Sequence, residues 1–329
     1  MPIAQFARYV LVAVAIVALA LFSWKITPVL MLFFAGIVIA TGIRAGSVPL
    51  SRRFGLNETL AVSIVFVLLI AAIGLASYFF GKQVNEQATE LWTALTEAWS
   101  KAREYLGKTP VGPYILGSAE GTQDPEAVTK VVKGTATVFG GIMDVVLVLF
   151  LAMYLAVDPR TYRNGFLLLL PKAVREDVGS ALDASGDALR KWLVGQLGAM
   201  VVVGILTGLG LWAVGVPLAL TLGILAGILD FVPFIGPLVA AVPGILLAFS
   251  ESPQVAVYAA LVYLTVQFVE GNIVLPLAQK WAVSLPPVLC LLGIVAFGLA
   301  FGFLGVLFAT PLTVVAMVMV QRLYVDKVR

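Results

Sequence analysis

The chain alternates long apolar runs with short polar breaks. A helix climbs about 1.5 Å per residue, so about 20 apolar residues cross a hydrocarbon core of about 30 Å. Runs of about that size lie at Tyr9 to Trp24, Pro28 to Ile43, Thr59 to Phe80, Thr137 to Val157, Val194 to Val214 and Val255 to Leu277. Two more, Pro217 to Phe249 and Pro287 to Val320, are about a dozen residues too long for one crossing. Their middles hold helix breakers, Asp-Phe-Val-Pro-Phe-Ile-Gly-Pro (Asp230 to Pro237) and Phe-Gly-Phe-Leu-Gly (Phe301 to Gly305). The pattern predicts an all-α polytopic membrane protein of six to eight transmembrane segments, two of them broken or re-entrant.

The overlong stretches are also related. Trp212 to Gly227 (WAVGVPLALTLGILAG) and Trp281 to Gly298 (WAVSLPPVLCLLGIVAFG) are weak copies of each other, each opening one stretch. An internal repeat joined to broken helices is a pattern of secondary transporters, in which unwound backbone near the midplane can serve a ligand. Single kinked crossings would give eight spans and a parallel repeat. Re-entrant hairpins would give six spans and an inverted repeat, which agrees slightly better with the placement of Glu251 and Lys280.

The resulting organisation has transmembrane helices 1 to 3 over 1–81, an extracytoplasmic helical segment over 82–135 and helix 4 over 136–157. A cytoplasmic amphipathic segment follows over 158–193, then a C-terminal repeat unit over 194–329, with halves 194–249 and 255–321. Arg44, Arg52 and Arg53, the six basic residues between Arg160 and Lys191, and the tail with Arg322, Lys327 and Arg329 fall on one side of this layout. The positive-inside rule makes that side cytoplasmic, with both termini. Outside, Val84, Ala88, Leu91, Leu95, Ala98, Ala102 and Tyr105 form a heptad seam. Either the protein's own segment near Val128 to Val132 or another protomer must cover it, the second reading making a homo-oligomer. Gly107 to Pro125 reads as a loop. Around Asp183 to Trp192, Leu182, Leu189, Trp192 and Leu193 form the apolar side of an amphipathic helix at the inner surface.

Composition narrows the chemistry. The chain is 61% hydrophobic and 12% charged, with no histidine and one cysteine, Cys290, inside an apolar run. Imidazole relays, Ser-His-Asp triads, HExxH zinc sites and intrachain disulfides are thereby excluded, and no cofactor or metal is expected. No GxxxxGK[ST] loop is present for an ATP-driven pump, and nothing suggests an enzyme or a nucleic-acid partner. Partners are a small-molecule solute, the lipid bilayer, and a proton or sodium ion.

Ionisable groups within spans are costly and functional by default. Here they are Asp144, Asp230 and Glu270. Asp144 sits near the start of its span beside Gly140 and Gly141, which favours a structural or interfacial role. Asp230 precedes a break made by Pro233, Gly236 and Pro237. It could N-cap the second half of the broken segment or bind a ligand or cation. Glu270, with Gln267 and Asn272, forms a polar patch about ten Å inside its span. Asp230 and Glu270 are thus the ion-coupling candidates. The substrate-binding candidates are Asp230, Phe231, Pro233, Phe234, Gly236, Glu270, Asn272, Phe301, Gly302, Phe303 and Gly305, where exposed peptide groups meet aromatic walls if the two breaks approach one another. The GxxxG pairs Gly204 with Gly208, Gly223 with Gly227 and Gly298 with Gly302 indicate close helix packing.

Five landmarks in order, Tyr154 to Asp158, Trp192 to Gln196, Asp230 to Pro237, Glu270 to Pro276, and Gly302 to Gly305 through Ala309-Thr-Pro311, give the chain a resemblance. It resembles the autoinducer-2 exporter family of bacterial inner-membrane proteins over nearly its whole length. That resemblance implies export of small signalling molecules, as in quorum sensing, from the bacterial cytoplasmic membrane, with some members similar to sodium/proton antiporters. Three function classes therefore stand: an exporter of a small polar solute, a cation/proton antiporter, and a membrane scaffold without transport.

Overall fold

The computed structural model describes residues 3–71, 142–279 and 285–328, with 74 and 100. The heptad seam, the loop after it and Lys280 lie outside these residues. Among the described residues the fold is helical with no strand, and four helices are long and apolar enough to cross a membrane.

The first difference from the sequence reading comes at the N-terminus. The apolar runs read as two spans lie on one helix, α1 (Ile3–Phe54), with Pro28 and Pro49 inside it. Between Trp24 and Pro28 only one residue breaks helices, and an isolated proline kinks a membrane helix without reversing it. Gly55 at φ +63 ends α1, and α2 (Glu58–Ala71) turns back along it. Next come α3 (Ile142–Val157), carrying half-buried Asp144 in its first turn, and the short α4 (Pro159–Leu168). Asp158 caps α4, its carboxylate accepting from the hydroxyl and backbone N–H of Thr161. Those bonds hold the Asp158 carboxyl below its ordinary value.

A second difference is α5 (Arg175–Ala213), 39 residues without a break. The stretch read as a separate amphipathic helix at the inner surface is its first half. Leu189, Trp192 and Leu193 bury their apolar side against α1, α3 and the C-terminal helices, not against a lipid surface. Contacts tie together several of the polar segments that charge assigned to one side, while α1 as one helix carries the N-terminal residues to its far end from Arg52 and Arg53. Arg44 donates to the Ala156 carbonyl at 2.8 Å and pairs with Glu58, Arg163 grips Asp183 with two bonds of 2.6 Å, and Lys327 pairs with Asp177.

Both overlong stretches fold into helical hairpins. In the first, α6 (Ala219–Leu229) and α7 (Ile235–Glu251) run antiparallel, and Leu222 shares a core with Leu247 and Ala248 near the open end. At 11 and 17 residues the arms are about 16 and 26 Å long, short of a 30 Å crossing. A single helix, α8 (Pro253–Val269), passes through a π-helical turn at Glu270–Val274 into α9 (Leu275–Gln279). The second hairpin is α10 (Pro287–Leu307), folded on itself at Gly302, followed by α11 (Ala309–Val320). Gly293 lies against Thr313 and Gly298 against Val306, the register of two antiparallel arms. The sequence repeat thus corresponds to two hairpins, with α7 packed on α8 and α11 on α5.

The α5–α6 pair explains two of the GxxxG matches. A Cβ added at Gly223 would lie 2.6 Å from the Gly208 Cα and 2.7 Å from the Gly204 oxygen, and one at Gly227 would lie 2.7 Å from the Met200 oxygen. The backbones touch, as small-residue motifs allow. Gly223→Val is expected to force the pair apart and to cost about 1–3 kcal/mol, read as a lower midpoint of thermal denaturation in detergent.

Candidate functional site

The turn of the first hairpin gathers the groups of interest. Asp230 closes α6, its N–H donating to the Ala226 carbonyl, and Phe231 and Val232 continue with single tight turns onto Ile228 and Leu229. The reversal is completed by Phe234 at φ +67, which for a bulky residue is strained backbone of the kind that clusters at functional sites. Gly236 then passes so close to the end of α6 that an added Cβ would lie 1.9 Å from the Leu229 oxygen. Only glycine fits there. Phe234 is the N-cap of α7 and supplies no side-chain bond, so the reading of Asp230 as N-cap of the second half is corrected: it ends the first half, and its side chain caps nothing.

Asp230 is 0% exposed, and neither carboxylate oxygen has a hydrogen-bond partner. Glu270, 8% exposed, stands close enough for the two carboxyl groups to interact electrostatically, and it accepts from Gln267 at 3.1 Å. The π-helical turn that begins at Glu270 has a local cause. Pro276 lacks the N–H an α-helix would direct at residue 272, and the Leu275 N–H reaches back five residues to the Glu270 carbonyl. Asn272 does not join the patch: it is exposed and donates to the Phe268 carbonyl of its own helix.

The aromatic predictions divide. Phe231, Phe234 and Phe301 pack on one core cluster, which brings the two hairpins together. Phe303 is 42% exposed and outside it. The contact between hairpins runs through Phe308: its ring lies edge-on to Phe231 at 6.4 Å and to Phe34 of α1 at 6.0 Å, while Trp192 of α5 meets Phe231 at 5.9 Å. Gly302 makes the second reversal at φ +65 in open space, and Gly305 lies 1.9 Å by its would-be Cβ from the Phe297 oxygen, the counterpart of Gly236. Pro233 is half-buried within the first turn. Cysteines at 231 and 308 should therefore be joined by a short bifunctional crosslinker in the membrane-embedded protein, whereas a pair at 234 and 303 should react less.

Sequence reasoning did not place Gln196, Trp192, Phe34 or Phe308 at the site, although Trp192 to Gln196 stood among the landmarks and Trp192 on an apolar helix side. Gln196 is buried, and its Nε2 donates to the Asp230 backbone carbonyl at 2.7 Å. A signal existed: Trp192, Gln196, Ala199, Val203, Thr207 and Leu211 repeat at helical spacing and are all buried, so Gln196 is a polar group on the inward stripe of an apolar helix.

A separate groove of about 690 Å³ runs along the outside of the α5–α6 pair, lined by Leu197, Val201, Ile205, Trp212, Ile224 and Ile228 among others. None of the predicted site residues lines it. Its walls are apolar apart from the indole N–H of Trp212, the composition of a lipid-compatible surface.

The sequence, taken over nearly its whole length, finds a match among known proteins. The model of the AI-2E family transporters fits residues 10–324. The chain belongs to that family. Among similar proteins, "Putative transport protein YrrI" of Bacillus subtilis (strain 168) is 27% identical over 285 residues, covering 80% of this chain and 78% of the relative. "AI-2 transport protein TqsA" of Escherichia coli (strain K12) is 22% identical over 282 residues, 82% and 79% of the two chains. "Putative permease PerM" of the same strain is 26% identical over 304 residues, 88% and 85%.

Proposed function

We propose that this membrane transporter is secondary-active, exporting a small polar solute of the signalling-molecule type across the bacterial cytoplasmic membrane, with Asp230 and Glu270 as the coupling carboxylates. The observation that carries the reading is the side chain of Asp230, wholly buried, unbonded and beside a second buried acid. A carboxylate in that position is costly unless a proton or cation accompanies it, and such cost is retained where charge must be bound and released. The transport names of the relatives support the general role, and that of TqsA supports a solute of the AI-2 kind.

A cation/proton antiporter is the second reading. Complete enclosure of Asp230 favours it, because a proton or bare cation fits where a larger solute needs the turn to open. Purified protein in proteoliposomes, given imposed proton and sodium gradients and a solute panel that includes AI-2, separates the two. Gradient-driven solute flux establishes the exporter, and cation flux without any solute establishes the antiporter. No flux of either kind would leave the scaffold class.

A further inference from the structure

We infer that Gln196 is the positioning residue of the Asp230 turn, a hydrogen-bonding latch from α5 that holds the first hairpin tip closed over its carboxylate. The inference deepens the coupling role proposed for Asp230. It rests on three features of the turn. First, the hairpin reversal takes the Asp230 carbonyl out of the helical ladder, and buried carbonyls must find donors. The donor here comes from another element: Gln196 Nε2 reaches the oxygen at 2.7 Å across 34 residues of chain. Because the acceptor is a carbonyl, the amide orientation is fixed with nitrogen toward Asp230.

Second, the bond has a companion one helical turn away. Trp192, four residues before Gln196 on α5, sits edge-on to Phe231, the residue after Asp230. One face of α5 thus grips two consecutive residues of the turn, one by a polar bond and one by an aromatic contact. Third, the turn is loaded. Phe234 is held at φ +67, and the Asp230 carboxylate, beside the like charge of Glu270, has no hydrogen-bond partner among the described residues. Strain of this kind persists only where surrounding contacts over-determine it. The Gln196 bond is the side-chain contact that adds to the turn's own backbone bonds in doing so, and its release would free the carboxylate to meet its cation.

The titratable groups on the elements around Gln196 are Asp230 on the turn, Glu270 on the π-helical turn, Arg190 and Lys191 six and five residues earlier on α5, and Tyr258 and Tyr263 on α8. α6 and α11 carry no titratable side chain, and α10 carries only Cys290. From α1, Arg44 is engaged with the Ala156 carbonyl and Glu58.

The test is amide hydrogen exchange of the detergent-solubilised full chain, followed in a peptide spanning 229–236 with 142–157 as internal reference. Gln196→Leu removes the donor and keeps the bulk. It should speed exchange of the 229–236 amides at least about tenfold, the size of effect expected for a buried hydrogen bond, and leave 142–157 unchanged. Gln196→Glu at pH 3.5, below the ordinary glutamic acid value, restores an O–H donor, and it should return the turn to within about threefold of the parent compared at the same pH. Parent-like exchange in Gln196→Leu would overturn the latch. So would Gln196→Glu exchanging like Gln196→Leu at pH 3.5, because packing and not the donor would then matter. Loss of protection in both peptides of Gln196→Leu would overturn it too, since Gln196 would then be a general stabiliser. No transport enters this readout, so failure of the coupling role shows separately, in flux.

Discussion

Gly236→Ala should abolish transport activity and loosen the first hairpin, although alanine adds only one methyl group. Its Cβ would lie 1.9 Å from the Leu229 oxygen and 2.9 Å from the Asp230 nitrogen, both backbone atoms that no rotamer change can move. Relief requires the arms to part, which also removes the bond from the Gly236 N–H to the Val232 carbonyl at 2.8 Å. The expected cost is at the top of the overpacking range, roughly 3 kcal/mol. Gly305→Ala, 1.9 Å from the Phe297 oxygen, should behave alike in the second hairpin. Gly302→Ala has open space, but φ +65 with ψ −142 is backbone nearly reserved for glycine, so it should cost about 1–3 kcal/mol through strain alone. Gly198→Ala, on an exposed helical position with nothing within 4 Å, should be neutral or stabilising by up to about 1 kcal/mol. Melting midpoints in detergent, taken with flux normalised to protein, give the order. A Gly236→Ala protein as stable and active as Gly198→Ala would mean that the turn is not built as described.

That ranking also shows what was legible in the chain and what was not. The breaks were readable because breakers act locally, Pro233, Gly236 and Pro237 within five residues and Gly302 and Gly305 in an apolar run, but they left a kink and a reversal both open. The facing GxxxG pairs were readable for the same reason, since only a missing side chain lets two helices touch. The continuity of α1 was not, because hydropathy reports where lipid can lie and says nothing about whether the chain reverses between two apolar runs. The inner-surface helix misled in a related way. An apolar stripe with Leu189 and Trp192 looks the same whether lipid or protein covers it, and here the core covers it. Asn272 was grouped with Glu270 by nearness in sequence, but the π-helical turn between them changes the angular step, and its amide turns to its own helix. Gln196 stood in a recognised landmark, Trp192 to Gln196, but its role escaped because its partner is a carbonyl, which every residue has.

Asp230→Asn and Glu270→Gln should separate folding from coupling. Both substitutions keep the size of the side chain and remove its ability to carry a charge. For Asp230 no hydrogen bond to the side chain is lost, since neither oxygen has one, so the variant should melt no lower than the parent. In Glu270→Gln the amide oxygen can still accept from Gln267, and folding should again hold. Flux driven by a proton or sodium gradient should nevertheless fall at least about a hundredfold in Asp230→Asn, a loss of roughly 2.7 kcal/mol in the driven step. Solute equilibration down its own gradient should be affected less, because the hairpins and their aromatic contacts remain. The fall for Glu270→Gln should be smaller. Glu270 already shares its charge with Gln267, while Asp230 has nothing but a bound ion or proton to neutralise it. Combining the two should add little to Asp230→Asn alone, since groups that act as one unit are not additive. Two fully coupled single variants would take these carboxylates out of the mechanism. A large, independent loss from each would instead indicate two separate ion sites in place of one shared between the hairpin turn and the π-helical turn.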